Sequence, residues 1–341
     1  MIWNRLFGCL GKSLAMDLGT ANSLLYSPQK GIVLNEPSVV ALDNETNKIR
    51  AIGKEAKEYV GRTPERIKAI RPLKDGVIAD FEVTKTMISY FIEKTLTGMQ
   101  LFKPKMVICV PTGITQVEKR AVIESAQQAG VREVRLIEEP IAAAIGANLP
   151  IDKPLGNMVV DIGGGTTEVA VISLSSVAYA ESVRVAGDEM NEAIQRYVQE
   201  NFQVLIGENA SEKVKIEIGS AYPLSETLTT NVYGKSIVDG RPKTIELNDS
   251  QIRESIKEPV HAIILAVRKA LEKTPAELIT DVANNGLLLA GGGALLKGLD
   301  ILIKEESGIS VVTDDEPLTT VLRGTGKSME NKKYYEPMFV N

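Results

Sequence analysis

The chain has 341 residues, 44% hydrophobic and 24% charged, enough for two domains around a large core in an ordinary globular protein. A formal net charge of −5 argues against general nucleic-acid binding, which shows a basic footprint. With only Cys9, Cys109 and His261 there is no Cys/His spacing for zinc, so any chemistry rests on carboxylates, threonines and backbone amides. Few cysteines and no export signature fit a reducing cytoplasm.

In chain order, MIWNRLFGCLGK comes first. It places Ile2, Trp3, Leu6, Phe7 and Leu10 on one face of a helix. It is too short for a signal peptide and lacks a small-residue cleavage site. Two readings stand: an amphipathic helix lying in a membrane interface, or a stub packed on its own domain. Leu14–Tyr26, LAMDLGTANSLLY, follows as an apolar strand that ends on Asp17, turns through Gly19, Thr20 and Asn22, and resumes. Strands are predicted at 14–18, 22–28, 31–34 and 38–42, with helices at 54–61 and 84–97. In TGMQLFKPK the apolar Met99, Leu101 and Phe102 are bracketed by Lys94, Lys103 and Lys105. That pattern suits either a loop tip entering an anionic membrane surface or an ordinary buried loop.

Strands at 105–110 and 133–138 alternate with helices at 115–129 and 140–147. Next comes MVVDIGGGTTEVAVISL (Met158–Leu174). A turn that only reverses the chain needs two special residues, whereas three glycines in a row suggest that something approaches the main chain where a Cβ would collide. Phosphate is the usual visitor to such an amide-lined concavity. Asp161 cannot itself bind phosphate, but beside a polyphosphate it suits Mg²⁺, held largely through water. A Gly-rich hairpin without a ligand is the competing reading. Asp161 and Asp17 head hairpins 144 positions apart, a spacing that suits two duplicated lobes gripping one polyphosphate and not a solenoid repeat.

Further strands are predicted at 157–162, 167–174, 177–185, 286–290 and 310–313. Helices are predicted at 188–203, 209–219, 249–273, 292–306 and 317–328, with a small hairpin at about 229–247. LLLAGGGALLKGL (Leu287–Leu299) reads as strand, glycines and helix start, which is either a place for a nucleotide's sugar or α-phosphate or a tight connection. GTGKS (Gly324–Ser328) imitates a P-loop, but the first glycine of that motif would fall on Val321 and no strand precedes it, so it reads as the end of a helix. No run reaches the roughly 18 apolar residues that span a bilayer. The alternation of strands and helices implies α/β layers with sheets covered by helices.

IVLNEPSVVAL (Ile32–Leu42), IRPLKDGVIADF (Ile70–Phe81), LIEEPIAAAIG (Leu136–Gly146), the Asp161 hairpin, IGSAYP (Ile218–Pro223) and LAGGGALLKGLD (Leu289–Asp300) together resemble the MreB family of bacterial actin homologues, within the actin/Hsp70/sugar-kinase ATPase superfamily. The resemblance spans nearly the whole chain. It departs at VAGDEMNEAI, where Ala186 stands for a family Gly and Asn191 for an Asp. It implies an α/β actin-like ATPase fold of two similar lobes, each a mixed sheet flanked by helices, with the nucleotide in the cleft between them. The first lobe would span 1–146, with a small subdomain at about 34–71 and a C-terminal return at 318–341. The second would span 147–317, with a subdomain at about 183–246.

Carried over by position, the resemblance puts Gly19, Thr20, Ala21 and Asn22 on phosphate from one lobe and Gly163, Gly164 and Gly165 from the other, with Gly187 nearby. Glu212, Lys213, Val214 and Lys215 would flank adenine and ribose, and Gly291, Gly292, Gly293 and Ala294 would close the other side. Glu139 would polarise the attacking water and Thr166 orient it, while Asp17 and Asp161 hold Mg²⁺; Glu138 reads as structural. The implied function is a slow Mg²⁺-dependent ATPase that polymerises into homopolymer filaments on the inner face of the cytoplasmic membrane. With membrane adaptor proteins and the cell-wall elongation machinery, and without nucleic acid, such filaments direct the shape of rod-shaped bacteria. An Hsp70-like chaperone would need a substrate domain, and a small-molecule kinase would need a specificity insertion and a base. The remaining alternative is a DNA-segregating or organelle-positioning actin relative, expected to lack the amphipathic start and the Leu101–Phe102 tip.

Overall fold

A computed structural model describes residues 12–96 and 103–340. Strand β1 (Ser13–Leu18) buries Leu14, Ala15 and Met16 completely, which only a central strand covered on both faces requires. β2 (Asn22–Ser27) and β3 (Gly31–Pro37) continue from it as an antiparallel meander. β4 (Val40–Asp43), β5 (Ile49–Ile52) and β6 (Ile67–Ile70) make a separate three-stranded sheet, with helix α1 (Lys54–Tyr59) between β5 and β6 in the chain. Ala56 of α1 packs there on Val39, Ala41 and Ala51.

A minimal hairpin, β7 (Leu73–Lys74) and β8 (Val77–Ile78), turns through Asp75 and Gly76 at φ 52° and 77°, the Asp-Gly pair such a two-residue turn favours. Then come α2 (Phe81–Thr95), capped by Asp80, β9 (Lys105–Val110), α3 (Gln116–Gln128), started by a Thr115/Glu118 capping box, β10 (Glu133–Glu138) and α4 (Glu139–Gly146). β9 lies parallel to β1, and β10 to β9.

The second half repeats this plan with β11 (Asn157–Ile162), β12 (Thr167–Ser173), β13 (Ser176–Val183), α5 (Gly187–Phe202), β14 (Val204–Leu205), α6 (Glu208–Ile218), β15 (Thr229–Ser236), β16 (Pro242–Asn248), α7 (Asp249–Ser255), α8 (Lys257–Lys273), α9 (Ala276–Asn285), β17 (Leu287–Ala290), α10 (Leu299–Ser307), β18 (Val311–Thr313), α11 (Thr320–Glu330) and α12 (Lys332–Tyr335). The two large sheets run β3-β2-β1-β9-β10 and β13-β12-β11-β17-β18. In each, the first strand is central, the two antiparallel strands lie to one side and the two parallel strands to the other. Asp17 and Asp161 thus end equivalent strands of a duplicated sheet.

A shared apolar layer joins the halves. Val107 and Ile137 from the first sheet meet Val159, Ile172 and Leu288 from the second, with Ile141–Ile145 of α4 and Val321 of α11 between them. α4 and α11 cross at glycines: a Cβ on Gly324 would fall 1.7 Å from the Ala142 carbonyl oxygen, and one on Gly146 2.0 Å from that of Thr320. GTGKS is part of this helix, with Gly324, Thr325, Gly326 and Ser328 buried.

Several elements differ from expectation. The helix predicted at 249–273 is two, broken at Ile256, because Pro259 in the first turn of α8 has no N–H to continue the ladder. The helix predicted at 292–306 is a 3₁₀ turn at Gly292–Leu295 and then α10, separated by Gly298 at φ +71°; a Cβ there would lie 2.6 Å from that of Tyr222. β5, β6, β14, the β7–β8 hairpin and α9 had no counterpart in the pattern.

Candidate functional site

Register sets each aspartate among the site residues of its own sheet, and the two lie near enough for the charge of Asp17 to act on Asp161. Asp17 pairs with Cys109 across the parallel β1–β9 ladder, and Asp161 with Glu168 across β11–β12 and with Ala290 across β11–β17. Glu139 opens α4 directly after β10. Asp17, Cys109 and Glu139 place one ligand atom each within 4.8 Å of one another. Crowding among buried acids shifts them all upward. Burial and then the charges of Asp17 and Glu168 push Asp161 to about 7. Burial pushes Asp17 to about 6 against a hydrogen bond from the Cys109 thiol. Glu139 is raised well above the ordinary carboxylate range by burial and by Asp161, Glu168 and Asp17. A site of this kind invites a cation.

The glycine hairpins abut. A Cβ on Gly164 would lie 2.6 Å from the Ala21 methyl carbon, and one on Gly165 3.0 Å from Thr20 Oγ1. Thr20 Oγ1 accepts from the Gly76 N–H at 3.2 Å, so the β7–β8 turn closes on the same point. Ser38 pins the first hairpin by donating to the Gly19 carbonyl at 2.6 Å and bonding Ser23 at 2.8 Å. In the second hairpin the Gly163 N–H is taken by the Thr166 carbonyl at 2.9 Å, which leaves Gly164 and Gly165 as the amides available to a ligand. The Thr166 methyl faces Gly76. Asn22 begins β2.

Gly187 opens α5, and the first amides of that helix are already used: Gly187 N donates to Gly163 O at 3.2 Å and Asp188 N to Gly164 O at 2.8 Å. Lys215 donates to the Gly187 carbonyl at 2.7 Å. Ala186 is extended at φ −158°, a conformation any residue adopts, so the alanine there does not disturb the turn.

The four positions on α6 separate. Glu212 binds Lys57 Nζ at 2.7 Å, Lys215 reaches Gly187, Lys213 faces outward beside Glu217, and Val214 is buried in the core of the second lobe. Val214 therefore offers a ligand its backbone and not its side chain. Among the third glycines, Gly291 N donates to Pro317 O and Ala294 N to Gly291 O, leaving Gly292 and Gly293. A Cβ on Gly291 would strike Ile162 O at 2.3 Å and Asp161 Oδ1 at 2.4 Å.

Pattern reading missed three sets of residues. Glu168, fully buried, accepts from Ser182 Oγ at 2.5 Å and from the Thr112 N–H at 3.2 Å; an acid inside the apolar run TEVAVIS was the visible signal. Cys109 was noted only as a poor zinc candidate. The third set is Lys57, Arg71 and Glu208 at the rim, where Lys57 of α1 pairs with the expected Glu212, and Arg71, just past β6, pairs with Glu208, both on α6. Arg71 also donates to the Thr20 carbonyl at 3.4 Å. A cavity of about 490 Å³ opens at this rim, lined by Lys54, Lys57, Glu58, Glu212, Lys213 and Ile216 among others.

Residues 11–337 match the family model described as MreB/Mbl protein. The chain belongs to the MreB/Mbl family. It is 52% identical to the cell shape-determining protein MreB of Escherichia coli (strain K12) over 95% of this chain and 94% of that protein. It is 46% identical to the cell shape-determining protein Mbl of Bacillus subtilis (strain 168) over 94% and 96%. Among solved structures, MreB 5 of Spiroplasma citri bound to AMPPNP superposes with a TM-score of 0.91 at 33% identity, covering 96% of this chain and 98% of that one. The MamK double helical filament gives 0.78 at 21% identity over 94% and 99%, a likeness of fold alone. The MreB/Mbl chain described here thus has the actin-like fold. Ile2, Trp3, Leu6, Phe7, Leu10, Leu101 and Phe102 lie outside the described residues. Among the described residues no helix is long and apolar enough to cross a membrane.

Proposed function

We propose that this MreB/Mbl chain binds ATP with Mg²⁺ in the cleft between its lobes, hydrolyses it slowly and assembles into membrane-attached filaments that determine cell shape. The carrying observation is the convergence of Asp17 and Asp161, from equivalent strands of a duplicated sheet, on one buried acidic cluster beside two abutting glycine hairpins. The relatives named as cell shape-determining proteins, and the related structures bound to ADP or AMPPNP, support the same reading.

The residues fit Mg²⁺. Asp161 is 6% exposed and carries no side-chain hydrogen bond among the described residues, and a hydrated ion answers that need. When bound, Mg²⁺ supplies positive charge against the triphosphate. Thr20, Ala21, Asn22, Gly164 and Gly165 hold phosphate oxygens from the two lobes, and Gly292 and Gly293 hold the nucleotide's other side. Glu212 and Lys215 face adenine and ribose. Glu139, the first residue of α4 and within reach of Asp17, polarises the attacking water with its carboxylate once the cation's charge holds that group ionised. Thr166 sits in the hairpin beside it to orient that water.

Assembly follows from a head-to-tail contact that never closes on itself. Attachment through Ile2, Trp3, Leu6, Phe7 and Leu10, with Leu101 and Phe102, contributes on the order of a few kcal/mol per subunit after ordering costs. A filament multiplies that weak hold through effective concentration. Cell-wall elongation proteins and membrane adaptors are the partners of this reading, on the inner face of the cytoplasmic membrane. The test is electron microscopy of the purified protein with ATP on a lipid monolayer; bare monolayers under conditions that saturate nucleotide binding would overturn the assembly reading.

A further inference from the structure

We propose that Arg323 of α11 is a positioning residue for the nucleotide, holding the segment at 314–319 that in turn fixes the Gly291–Gly293 turn. The inference rests on the reading that Gly292 and Gly293 hold one side of the nucleotide. Residues 314–319 carry the chain from β18, in the second large sheet, into α11, which touches β1 and β2 of the first. In the middle of that crossing the Pro317 carbonyl accepts from the Gly291 N–H at 3.0 Å. A Cβ on Gly292 would lie 3.1 Å from Leu318 Cδ2. Gly291 sits at φ +80°, and glycine backbone is free enough that the direction of the next two N–H groups depends on what holds it from outside.

Arg323 holds the crossing itself. Its guanidinium binds the Asp314 carboxylate and lies 3.7 Å from Glu316 Oε2, so it spans both acids ahead of Pro317 from the first turn of the helix that follows. The Asp314 side chain is 9% exposed and also accepts from the Glu316 N–H at 2.9 Å. Against the cost of burial, the Glu316 N–H and the guanidinium hold the Asp314 carboxyl below the usual carboxylate range. Arg323 Nε is buried with no hydrogen-bond partner among the described residues. The guanidinium is thus aimed at the two carboxylates while its third donor goes unmet, a cost the fold carries to keep this orientation. A planar fork serves both acids, whereas an ammonium is a single point charge. Lys327, one turn further on, ties the other crossing between the lobes. Its Nζ donates to the Ile145 and Gly146 carbonyls at 3.3 and 2.8 Å and to Asn148 Oδ1 at 2.7 Å, where α4 ends. None of these partners belongs to the Gly291–Gly293 turn, which makes Lys327 the natural comparison.

The test is equilibrium titration of the full chain with a fluorescent ADP analogue and Mg²⁺, alongside urea melts without nucleotide. Arg323→Met is expected to weaken ADP at least about tenfold, and Arg323→Lys to recover part of that loss. Asp314→Asn should weaken ADP in the same direction, with the double variant no worse than Arg323→Met, because the two act through one contact. Lys327→Met should lower the urea midpoint and leave ADP affinity at the wild-type value. ADP affinity unchanged by Arg323→Met and Asp314→Asn overturns the proposal. So does an equal loss in Lys327→Met, which would reduce the effect to a general loosening. Should Arg323→Met fail to fold, Asp314→Asn, which keeps the side-chain shape, carries the test. No ADP binding by the wild type would remove the nucleotide reading and this inference together, whereas wild-type binding with unaffected variants removes this inference alone.

Discussion

Two ion pairs close the rim of the cleft, and removing them is expected to speed nucleotide release. Lys57 Nζ lies 2.7 Å from Glu212 Oε2 with side chains 32% and 29% exposed, and Arg71 binds Glu208 with side chains 24% and 36% exposed. Pairs about one-third exposed contribute about 1 kcal/mol each once solvent screening is allowed for. At about 1.4 kcal/mol per factor of ten, Lys57→Ala or Arg71→Ala should raise the release rate about fivefold, and the double variant about 30-fold if the pairs act independently. The assay is stopped-flow displacement of a fluorescent ADP analogue at low salt. Raising ionic strength should narrow the gap between wild type and variants, because exposed charges are screened over about 10 Å at 0.1 M. Release unchanged in the double variant at low salt would refute the idea that these pairs retain the nucleotide.

Four further outcomes are expected. Glu139→Ala should keep ATP binding and lower phosphate release at least about 100-fold; unchanged turnover would remove Glu139 from its assigned role. Gly291→Ala should destabilise the fold by about 2 kcal/mol or more in urea melts, since it adds left-handed strain to a collision with Ile162 O; an unmoved midpoint would count against that geometry. Without nucleotide or metal, Asp17 at about 6 and Asp161 and Glu168 at about 7 hold protons that the unfolded chain, with carboxylates near about 4, has already lost. Their contribution is therefore full below about pH 4 and disappears as pH rises through 6 to 7, so Tm should fall from pH 5 to pH 8, and Asp161→Asn should flatten the slope. Glu133, held down to about 2 by Lys105 and Lys332, acts below that window; a Tm that rose across pH 5 to 8 would contradict the cluster. Deleting residues 1–12 together with Leu101→Ser and Phe102→Ser should abolish co-sedimentation with anionic liposomes, and persistent binding would reject both anchors.

The duplicated sheets were legible because each first strand is an apolar run that stops at Asp17 or Asp161 before glycine, a contrast strong enough to read locally. The short strands β5 and β6 were not, since IRAI and IKAI interleave charge with apolar residues and become strands only by pairing with β4. Helices 249–273 and 292–306 were overextended because apolar spacing continues past Pro259 and Gly298, where backbone chemistry ends it. The site divides in the same way. The glycines announce themselves, but Lys57 and Glu212 are 155 positions apart and Arg71 and Glu208 are 137, so in sequence each looks like a solvated charge. Glu168 and Cys109 acquire meaning only through ladder register with Asp161 and Asp17.

The crossing of α4 and α11 carries one last consequence. Most helix pairs mesh through side-chain ridges, and tilting one against the other means lifting teeth out of grooves. Here Gly146 and Gly324 leave bare main chain at the nearest approach, while α4 touches strands of both large sheets, β9, β10, β11 and β12, and α11 touches β1, β2 and β9. Main chain rests directly on main chain at this crossing, so a single methyl at Gly324 would pry the two helices apart and, through them, the sheets they cover.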